Sequence, residues 1–262
     1  MIQIKRPKIP DVLAKNQLQW TADLINLVKK YGDYNKIPDN EKNKAVDKYK
    51  HFQITEAVIE ILNGKCVFCE SKIDTVDYIN IEHFLPKSLY FKSTFMWNNL
   101  FPSCRKCNIP KSNIDTKLKP IVNPETENPE LFFVFDNLRI EVSPTSPDKI
   151  KSLNTITTCD LNRTALSRAY SEILISFYEA EKNLEDSVKD YNALVQNAAK
   201  VKHANNMHNS IDNIKSLLQP NQQYSSFMKN ITRKSNVLKK VISIINVHKY
   251  DIGLTNDYSL NI

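Results

Sequence analysis

Glycine is scarce in this sequence, and the scarcity excludes whole classes of binding site. Only three glycines occur in 262 residues, and each is isolated. A loop that wraps phosphate groups with backbone amides needs several glycines at close spacing, as in the dinucleotide-binding and P-loop patterns. The chain carries no such loop, so any control by ATP is expected to come from another chain. Asn, Asp and Pro must supply most turns, which argues against a sandwich of many tight β-turns.

Long apolar runs are missing as well. No run approaches the ~18 residues that a membrane-spanning helix needs. The basic stretch of residues 1–10 is not followed by the apolar segment of a secretory signal. We therefore predict a cytoplasmic protein with no membrane partner. At 41% hydrophobic residues the chain can still bury a core, so disorder of the whole chain is excluded.

Apolar periodicity and composition divide the chain into four segments, which are residues 1–64, 65–120, 121–160 and 161–262. The first and last segments repeat apolar residues at helical spacing. The third is rich in Pro and acidic residues, and its one apolar stretch, residues 131–142, is interrupted at Asp136-Asn137. That interruption predicts a β-hairpin. The predicted fold class is therefore α+β and mostly helical.

Helices are predicted at particular places in the two outer segments. Residues 17–31 form a helix whose apolar face carries Leu18, Ala22, Ile25 and Val28. Residues 51–62 form another. In the last segment a long helical pattern begins near Leu166, Pro220 ends or kinks the region after it, and residues 227–247 form one further helix. We interpret these apolar stripes as packing between helices.

Four of the five cysteines form two C-x2-C pairs, Cys66/Cys69 and Cys104/Cys107, with 34 residues between the pairs. A two-residue gap allows both thiolates of one turn to face a tetrahedral zinc ion, and two such turns complete its shell. The alternatives are a redox motif, which needs no second copy, or chance. We predict a structural zinc ion with a closed shell, so any catalysis must come from other residues. Cys159 is predicted to be a small buried residue.

The residues around the second pair carry a more specific pattern. In chain order it consists of Glu82-His83, Asn99-Leu100, the pair Cys104/Cys107 followed directly by Asn108, and Lys111. This order and spacing resemble the HNH nucleases, a ββα-metal (treble-clef-like) fold stabilised by zinc knuckles. The match is similar to the subgroup that includes the HNH subunit of Septu-type and retron-linked anti-phage systems, often found beside an ABC-type ATPase. It covers about residues 1–165 and leaves helical segments on both sides of the core.

The resemblance implies metal-dependent hydrolysis of DNA phosphodiester bonds with an ABC-type ATPase as partner. His83 is the expected general base, because an unperturbed imidazole has a pKa near ~6.5. Glu82 and Asn108 offer the oxygen ligands that Mg²⁺ or Mn²⁺ takes. Asn99 is expected to brace the loop and orient His83. The nucleic-acid contacts implied are Lys87, Arg105, Lys106 and Lys111, of which Lys111 has a second expected role in holding the fold.

Two positions depart from the wider family, and the local elements bear on both. Glu82 stands where Asp is usual, and Asn108 stands where His is usual, although related subgroups use Asn. Residues 76–83 alternate as a strand that ends at His83. Neighbours on a regular strand point to opposite faces, so Glu82 and His83 serve one site only if it lies at the strand end. The second cysteine pair should open a helix, where Asn108 has the alternative role of an N-cap.

Charge is unevenly distributed along the chain. Residues 104–119 hold five Lys or Arg and one Asp. Residues 200–249 hold nine Lys or Arg and one Asp, whereas residues 166–199 hold three Lys or Arg and six acidic residues. The basic C-terminal stretch either contacts successive phosphates of a nucleic acid or is a solvated lysine face. The acidic stretch is a candidate docking face for a partner protein. Two other functions remain open, namely a non-catalytic zinc adaptor that binds nucleic acid or protein, and a toxin that cuts RNA.

Overall fold

Helices make up most of the computed structural model, which describes residues 1–73 and 80–260. The chain separates into two units, Met1–Arg163 and Thr164–Ile262. The first unit contains the first three predicted segments and the start of the fourth. Two small sheets accompany the helices, so the mostly helical α+β class predicted from the sequence is confirmed.

The first unit combines five helices and two hairpins within the residues described. The helices are α1 Asp11–Tyr31, α2 Asp39–Val46, α3 Phe52–Glu60, α4 Arg105–Lys111 and α5 Lys149–Thr158. Short 3-10 helices cover Tyr34–Lys36, Asp47–Lys50, Phe91–Ser93, Trp97–Asn99 and Pro129–Leu131. Strand β1 Asn80–His83 pairs antiparallel with β2 Leu100–Ser103, and β3 Phe133–Asp136 pairs antiparallel with β4 Arg139–Val142. Residues 76–79 of the predicted strand lie outside the described residues.

The first helix forms where the sequence predicts it, but the predicted apolar face is wrong. Leu18 is 84% exposed, whereas Leu13 and Leu24 are fully buried. The helix begins six residues earlier than predicted, at Asp11 after Pro10. Residues eleven apart lie on nearly the same face of an α-helix, so Leu13 and Leu24 define the packed stripe. Gly32 ends the helix with a φ of 77°, a left-handed conformation that suits glycine.

The predicted hairpin in the acidic segment is confirmed. Strands β3 and β4 are joined by Asn137 and Leu138, and Asn137 has a φ of 51°, as a tight hairpin turn requires. Asn162 extends the hairpin with its side chain. Its Oδ1 accepts from the Ile140 amide at 2.8 Å, and its Nδ2 donates to the Ile140 carbonyl at 2.9 Å.

The second unit is a helical assembly around an apolar core. Its helices are α6 Thr164–Ala193, α7 Asn197–Leu217, α8 Ser225–Lys234 and α9 Asn236–Val247. Its buried residues include Phe177, Leu184, Ile211, Val241 and Ile245. Pro220 follows the end of α7, as predicted. Within the described residues, no helix combines the length and the apolar character needed to cross a bilayer.

The single helix predicted over residues 227–247 is wrong, because the structure divides it at Ser235. Ser235 has extended backbone angles, and its Oγ accepts from the Leu238 amide at 3.0 Å. Serine in this position satisfies one of the free amides of a helix N-terminus, so α9 starts anew after α8. Apolar periodicity continues across the break and hides it.

Candidate active site beside a cysteine cluster

The four cysteines of the two pairs meet in one cluster. The Sγ atoms of Cys66, Cys69, Cys104 and Cys107 all lie within 4.8 Å of one another. Four sulfurs around a tetrahedral zinc ion with bonds of ~2.3 Å are separated by about 3.8 Å, and Cys69 Sγ lies 3.7 Å from Cys104 Sγ. The cluster therefore fits a closed tetrahedral metal shell, as the spacing predicts.

Backbone hydrogen bonds shape both cysteine turns. In the first turn the Glu70 amide donates to the Cys66 carbonyl at 2.9 Å, and Glu70 takes a φ of 61°. The Val67 amide donates to the Pro102 carbonyl at 2.8 Å, which ties this turn to strand β2. In the second turn Cys104 stands at the N-terminus of α4, as predicted. The sheet and the helix thus bring both pairs together.

Polar groups around the sulfurs suit thiolates. The Arg163 Nη1 donates to Cys107 Sγ at 3.4 Å, and Ser71 Oγ lies 3.2 Å from Cys69 Sγ. Hydrogen bonds from Cys104 and the other clustered cysteines hold the pKa of Cys69 well below its usual value. Burial raises the pKa of Cys66, and hydrogen bonds to the clustered cysteines raise that of Cys107, so without a metal ion the four thiols share their protons unequally. Cys159 is fully buried outside the cluster, as predicted, and its burial raises the pKa of its thiol.

Glu82 and His83 lie at the end of β1, and both are buried. In the β1–β2 register Glu82 faces Phe101 and His83 faces Leu100. Their side chains find different partners, as expected for neighbours on a strand. The Glu82 carboxylate forms an ion pair with Lys111, whereas the His83 ring reaches the Thr94 carbonyl.

The Glu82–Lys111 pair is one of the most buried ion pairs in the described chain. Lys111 is fully buried and Glu82 is 4% exposed. Lys111 Nζ also donates to the His83 carbonyl at 3.1 Å, so one ammonium holds the backbone and side chain of the Glu82-His83 pair. Burial raises the pKa of Glu82, and the charge of Lys111 opposes that shift. In this arrangement Lys111 holds the fold, and its predicted contact with nucleic acid would require the pair to open.

The His83 ring is held in one orientation. Its Nε2 lies 3.0 Å from the Thr94 carbonyl oxygen. A carbonyl only accepts, so Nε2 carries the proton and Nδ1 keeps a free lone pair. The Tyr49 ring packs perpendicular to the imidazole with centroids 4.7 Å apart. Burial first, and then the charge of Lys87, lower the pKa of His83 to about 3.

Asn99 braces the loop that follows His83. Its Oδ1 accepts from the Leu85 amide at 2.7 Å, and its Nδ2 donates to the carbonyls of Leu85 and Ser93. The Asn99 carbonyl accepts from the Phe84 amide at 3.0 Å. Every contact is to backbone between the two strands, which is the bracing arrangement that the resemblance implies for this residue.

A cavity of about 350 Å³ lies beside this strand end. The predicted site residues on its wall are Glu82, His83, Lys87 and Asn108. Asn108 lies inside α4, and the N-cap position is taken by Cys104, so the alternative role of Asn108 as a helix cap is wrong. Arg105 and Lys106 are exposed on the same helix and do not line the cavity.

The donor groups of the cavity suit a hard divalent ion in kind. The carboxylate of Glu82 and the amide oxygen of Asn108 line the same space, and Mg²⁺ and Mn²⁺ take oxygen ligands. Oε1 of Glu82 is held by Lys111, so an ion would bind the other oxygen or replace the ammonium.

Comparison with curated proteins finds relatives that share one name. Septu protein PtuB of Bacillus thuringiensis is 32% identical over 130 residues, which are 49% of this chain and 44% of the relative. Septu protein PtuB of Bacillus mycoides (strain KBAB4) is 36% identical over 73 residues, 23% of this chain and 25% of the relative. The chain is similar to Septu protein PtuB. It spans less than half the length of each of these PtuB proteins. No protein-family profile matches it.

The sequence motifs assign no role to three residues of the site. Tyr49 and Lys50 reach the cavity from the 3-10 helix Asp47–Lys50, and Thr94 supplies the carbonyl for His83. Thr94 acts through its backbone, so its side chain gives no signal in the sequence. The name Septu protein PtuB states no activity, so the chemistry rests on the geometry above.

Proposed function

We propose that this chain is a metal-dependent endonuclease of the HNH type that hydrolyses DNA phosphodiester bonds. The observation that carries the proposal is the state of His83. Its Nε2–H is committed to the Thr94 carbonyl, which leaves Nδ1 as a proton acceptor beside a cavity that Glu82 and Asn108 also line. The hairpin β1–β2, the helix α4 and the cysteine cluster support the ββα-metal arrangement that the motifs imply.

In the proposed reaction His83 Nδ1 takes a proton from the attacking water. Its pKa of about 3 in the free chain is too low for an efficient base near neutral pH. A phosphodiester in the cavity would bring negative charge toward Lys87, whose ammonium contributes to the low pKa. We therefore expect the pKa of His83 to rise when nucleic acid binds.

The other residues hold the reacting groups. Asn99 fixes the loop after His83, and Lys111 fixes both the backbone of His83 and the carboxylate of Glu82. Glu82 and Asn108 would hold Mg²⁺ or Mn²⁺. The ion, when bound, supplies positive charge to the scissile phosphate and to the leaving 3′ oxygen.

The test is cleavage of supercoiled plasmid with added Mg²⁺ or Mn²⁺, for the wild type and for His83→Ala. We expect His83→Ala to lose activity by at least about a hundredfold, the lower range for a general base. His203→Ala is the matched control, because His203 is a partly exposed histidine of the second unit. Equal, measurable cleavage by the wild type and His83→Ala would refute the assigned base, whereas inactivity of both proteins requires the assay to be repeated with the ATPase partner. Labelled tRNA in the same assay separates DNA cleavage from RNA cleavage.

We further propose a role in anti-phage defence, in the cytoplasm, with an ABC-type ATPase as partner. The similarity to proteins named Septu protein PtuB supports the defence role. The lack of any glycine-rich phosphate loop in the sequence is consistent with ATP being bound by another chain. Plaque formation on cells carrying both genes, with wild-type or His83→Ala protein, tests this role. Protection that survives His83→Ala with zinc still bound would favour the non-catalytic adaptor.

The adaptor is the second candidate, and one observation favours it. Lys111 already neutralises Glu82 in the buried pair, as would suit a purely structural carboxylate. Binding of Mn²⁺ to the zinc-loaded chain, followed by electron paramagnetic resonance, separates the two functions. We expect Mn²⁺ to bind the wild type and to bind Glu82→Gln more weakly. No binding by either protein, with or without DNA, would support the adaptor.

A further inference from the structure

Tyr49 presents a buried phenol to the cavity. The residue is only 8% exposed and lines the cavity beside His83. Among the described residues the Tyr49 hydroxyl has no hydrogen-bond partner. Burial raises the pKa of Tyr49 to about 12, so the hydroxyl keeps its proton and remains a donor. The hydroxyl oxygen is open to the cavity and not sealed in the core, so water solvates it and a phosphate oxygen would take the place of that water.

Two ammonium groups approach the same ring. Lys50 Nζ lies 5.8 Å and Lys87 Nζ 5.6 Å from the centroid of Tyr49. Burial lowers the pKa of Lys87, the charge of Glu82 opposes that shift, and the charge of Lys50 adds to it. Both lysines line the cavity. Two ammonium groups beside a hydroxyl donor form a place where an anion is stabilised.

The nearby carboxylates Asp47 and Glu82 offset part of this charge, but neither forms an ion pair with Lys87. Asp47 pairs with Lys50 at 2.9 Å on the exposed side of the 3-10 helix. Glu82 is held by Lys111. The remaining wall of the cavity offers neutral groups, among them Asn80, Asn108, Ser112 and Asn113.

We propose that the Tyr49 hydroxyl and the ammonium groups of Lys50 and Lys87 form a binding subsite for a backbone phosphate of the nucleic acid, next to His83. This proposal deepens the proposed nuclease function and rests on it for the identity of the ligand. The subsite would hold the phosphodiester beside His83, the proposed general base, while the same tyrosine ring packs against the imidazole. The helical segment of residues 1–64 then forms part of the substrate site.

The experiment measures binding of a short fluorescein-labelled DNA duplex to the full zinc-loaded chain, without added divalent ions so that no cleavage occurs. Tyr49→Phe keeps the ring and removes the donor. We expect about tenfold weaker binding at an unchanged slope of log K against log salt, because the number of cations stays the same. Lys87→Gln should weaken binding and lower that slope by about 0.9.

The matched controls are Tyr34→Phe and Lys42→Gln. Tyr34 is equally buried, its pKa is also raised to about 12, and Lys42 Nζ lies 5.8 Å from its ring, yet neither residue lines the cavity. Both controls should bind DNA as the wild type does. An RNA duplex in parallel tells which nucleic acid supplies the phosphate. Tyr49→Phe with wild-type affinity for both duplexes would overturn the subsite.

A second measurement applies if the wild-type chain on its own binds neither the DNA nor the RNA duplex. Inorganic phosphate at constant ionic strength should raise the melting temperature of the wild type and of Tyr34→Phe, but not that of Tyr49→Phe or Lys87→Gln. The absence of any response in the wild type would overturn the subsite. Phosphate or DNA binding that depends on Tyr49, in a chain that does not cleave even with its ATPase partner present, would refute the nuclease and leave the subsite standing.

Discussion

The two units differ in what they bury. In the first unit the interior holds the charged residues Lys65, Glu70, Glu82 and Lys111 together with the cysteine cluster. In the second unit the buried polar residues are Ser225, Thr232, Ser235 and His248, and no Lys, Arg, Asp or Glu of its described residues is buried. Buried charge is stable only when it is paired and hydrogen-bonded. Its concentration in one unit marks where the candidate site lies.

The comparison also teaches what each unit depends on. The second unit can rely on the burial of apolar side chains from four helices, a cooperative but unspecific stabilisation. The first unit places polar groups where apolar ones would pack, so its stability depends on particular partners. Removal of one partner should therefore cost more in the first unit than truncation of an apolar side chain in the second.

Loss of a metal ligand should have the largest effect. Cys104→Ser removes one of four sulfurs, and zinc binding contributes on the order of 10 kcal/mol to folding of small zinc-binding peptides. We expect this variant to lose zinc and the hydrogen-exchange protection of the first unit, while helices α6 to α9 stay protected. Zinc content per chain and hydrogen exchange by mass spectrometry check both outcomes.

Cys159→Ala is the control for that experiment, since Cys159 is fully buried but lies outside the cluster. It should retain zinc and lose only modest stability. Full protection of the first unit in zinc-free Cys104→Ser would contradict the idea that this unit depends on the metal.

Breaking the Glu82–Lys111 pair should have the next largest effect. Lys111→Met leaves a buried carboxylate alone, and removal of one partner of a buried ion pair costs about 4 kcal/mol. The measurement is the free energy of unfolding in urea. Lys151→Met breaks a pair at 2.7 Å with Glu127, in which both side chains are 23% exposed, and should cost less than about 1 kcal/mol.

The double variant Glu82→Gln/Lys111→Met isolates the coupling between the two residues. It should be destabilised by less than the sum of the single variants, because no unpaired charge remains. Additive losses would mean that the two residues act separately, and Lys111 would then not be the clamp of Glu82.

Creating a cavity in the core of the second unit should have the third largest effect. Ile211 is fully buried in the apolar core, and Ile211→Ala should lower the free energy of unfolding by about 3 kcal/mol. Zinc content should not change. Ile175→Ala, at a residue 59% exposed on α6, should change stability by less than about 0.5 kcal/mol. A loss of zinc in Ile211→Ala would show that the two units are not energetically separate.

The sequence predicts the local features of both units well and their tertiary details less well. The cysteine spacing predicts the cluster, and the interruption at Asp136-Asn137 predicts the hairpin, because each depends on residues close in sequence. The face of α1 is decided by what packs on it, so Leu18 is exposed where the pattern makes it core. Ser235 divides a helix through a single side-chain cap, which apolar periodicity does not register.

The same distinction holds within the candidate site. The motif identifies Glu82, His83, Asn99 and Asn108 as a group, and three of these line one cavity. It does not reveal that Lys111 turns inward to Glu82, because a lysine in a motif is read equally well as a phosphate contact. It also assigns no role to Tyr49, which reaches His83 from another segment, 34 positions earlier in the chain.

The smallest effect concerns the surface of the second unit. Lys239 and Lys240 are exposed on α9, close in sequence to the exposed Arg233 and Lys234 that end α8. Lys239→Gln/Lys240→Gln should change the free energy of unfolding by less than about 0.5 kcal/mol, since neither side chain belongs to the core. If this face contacts DNA phosphates, the slope of log K for DNA binding against log salt falls in magnitude by about 0.9 for each phosphate that is no longer neutralised.

Lys182→Gln/Lys189→Gln, on the exposed face of α6, removes the same charge and should leave the slope unchanged. Equal slopes in the two double variants would mean that the basic stretch is a solvated lysine face. Nucleic-acid binding would then rest with the first unit alone. A lower slope only in Lys239→Gln/Lys240→Gln would mean that the second unit also binds nucleic acid, through the exposed lysines outside its core. Tyr49→Phe stays distinguishable from both, because it weakens binding without removing a cation.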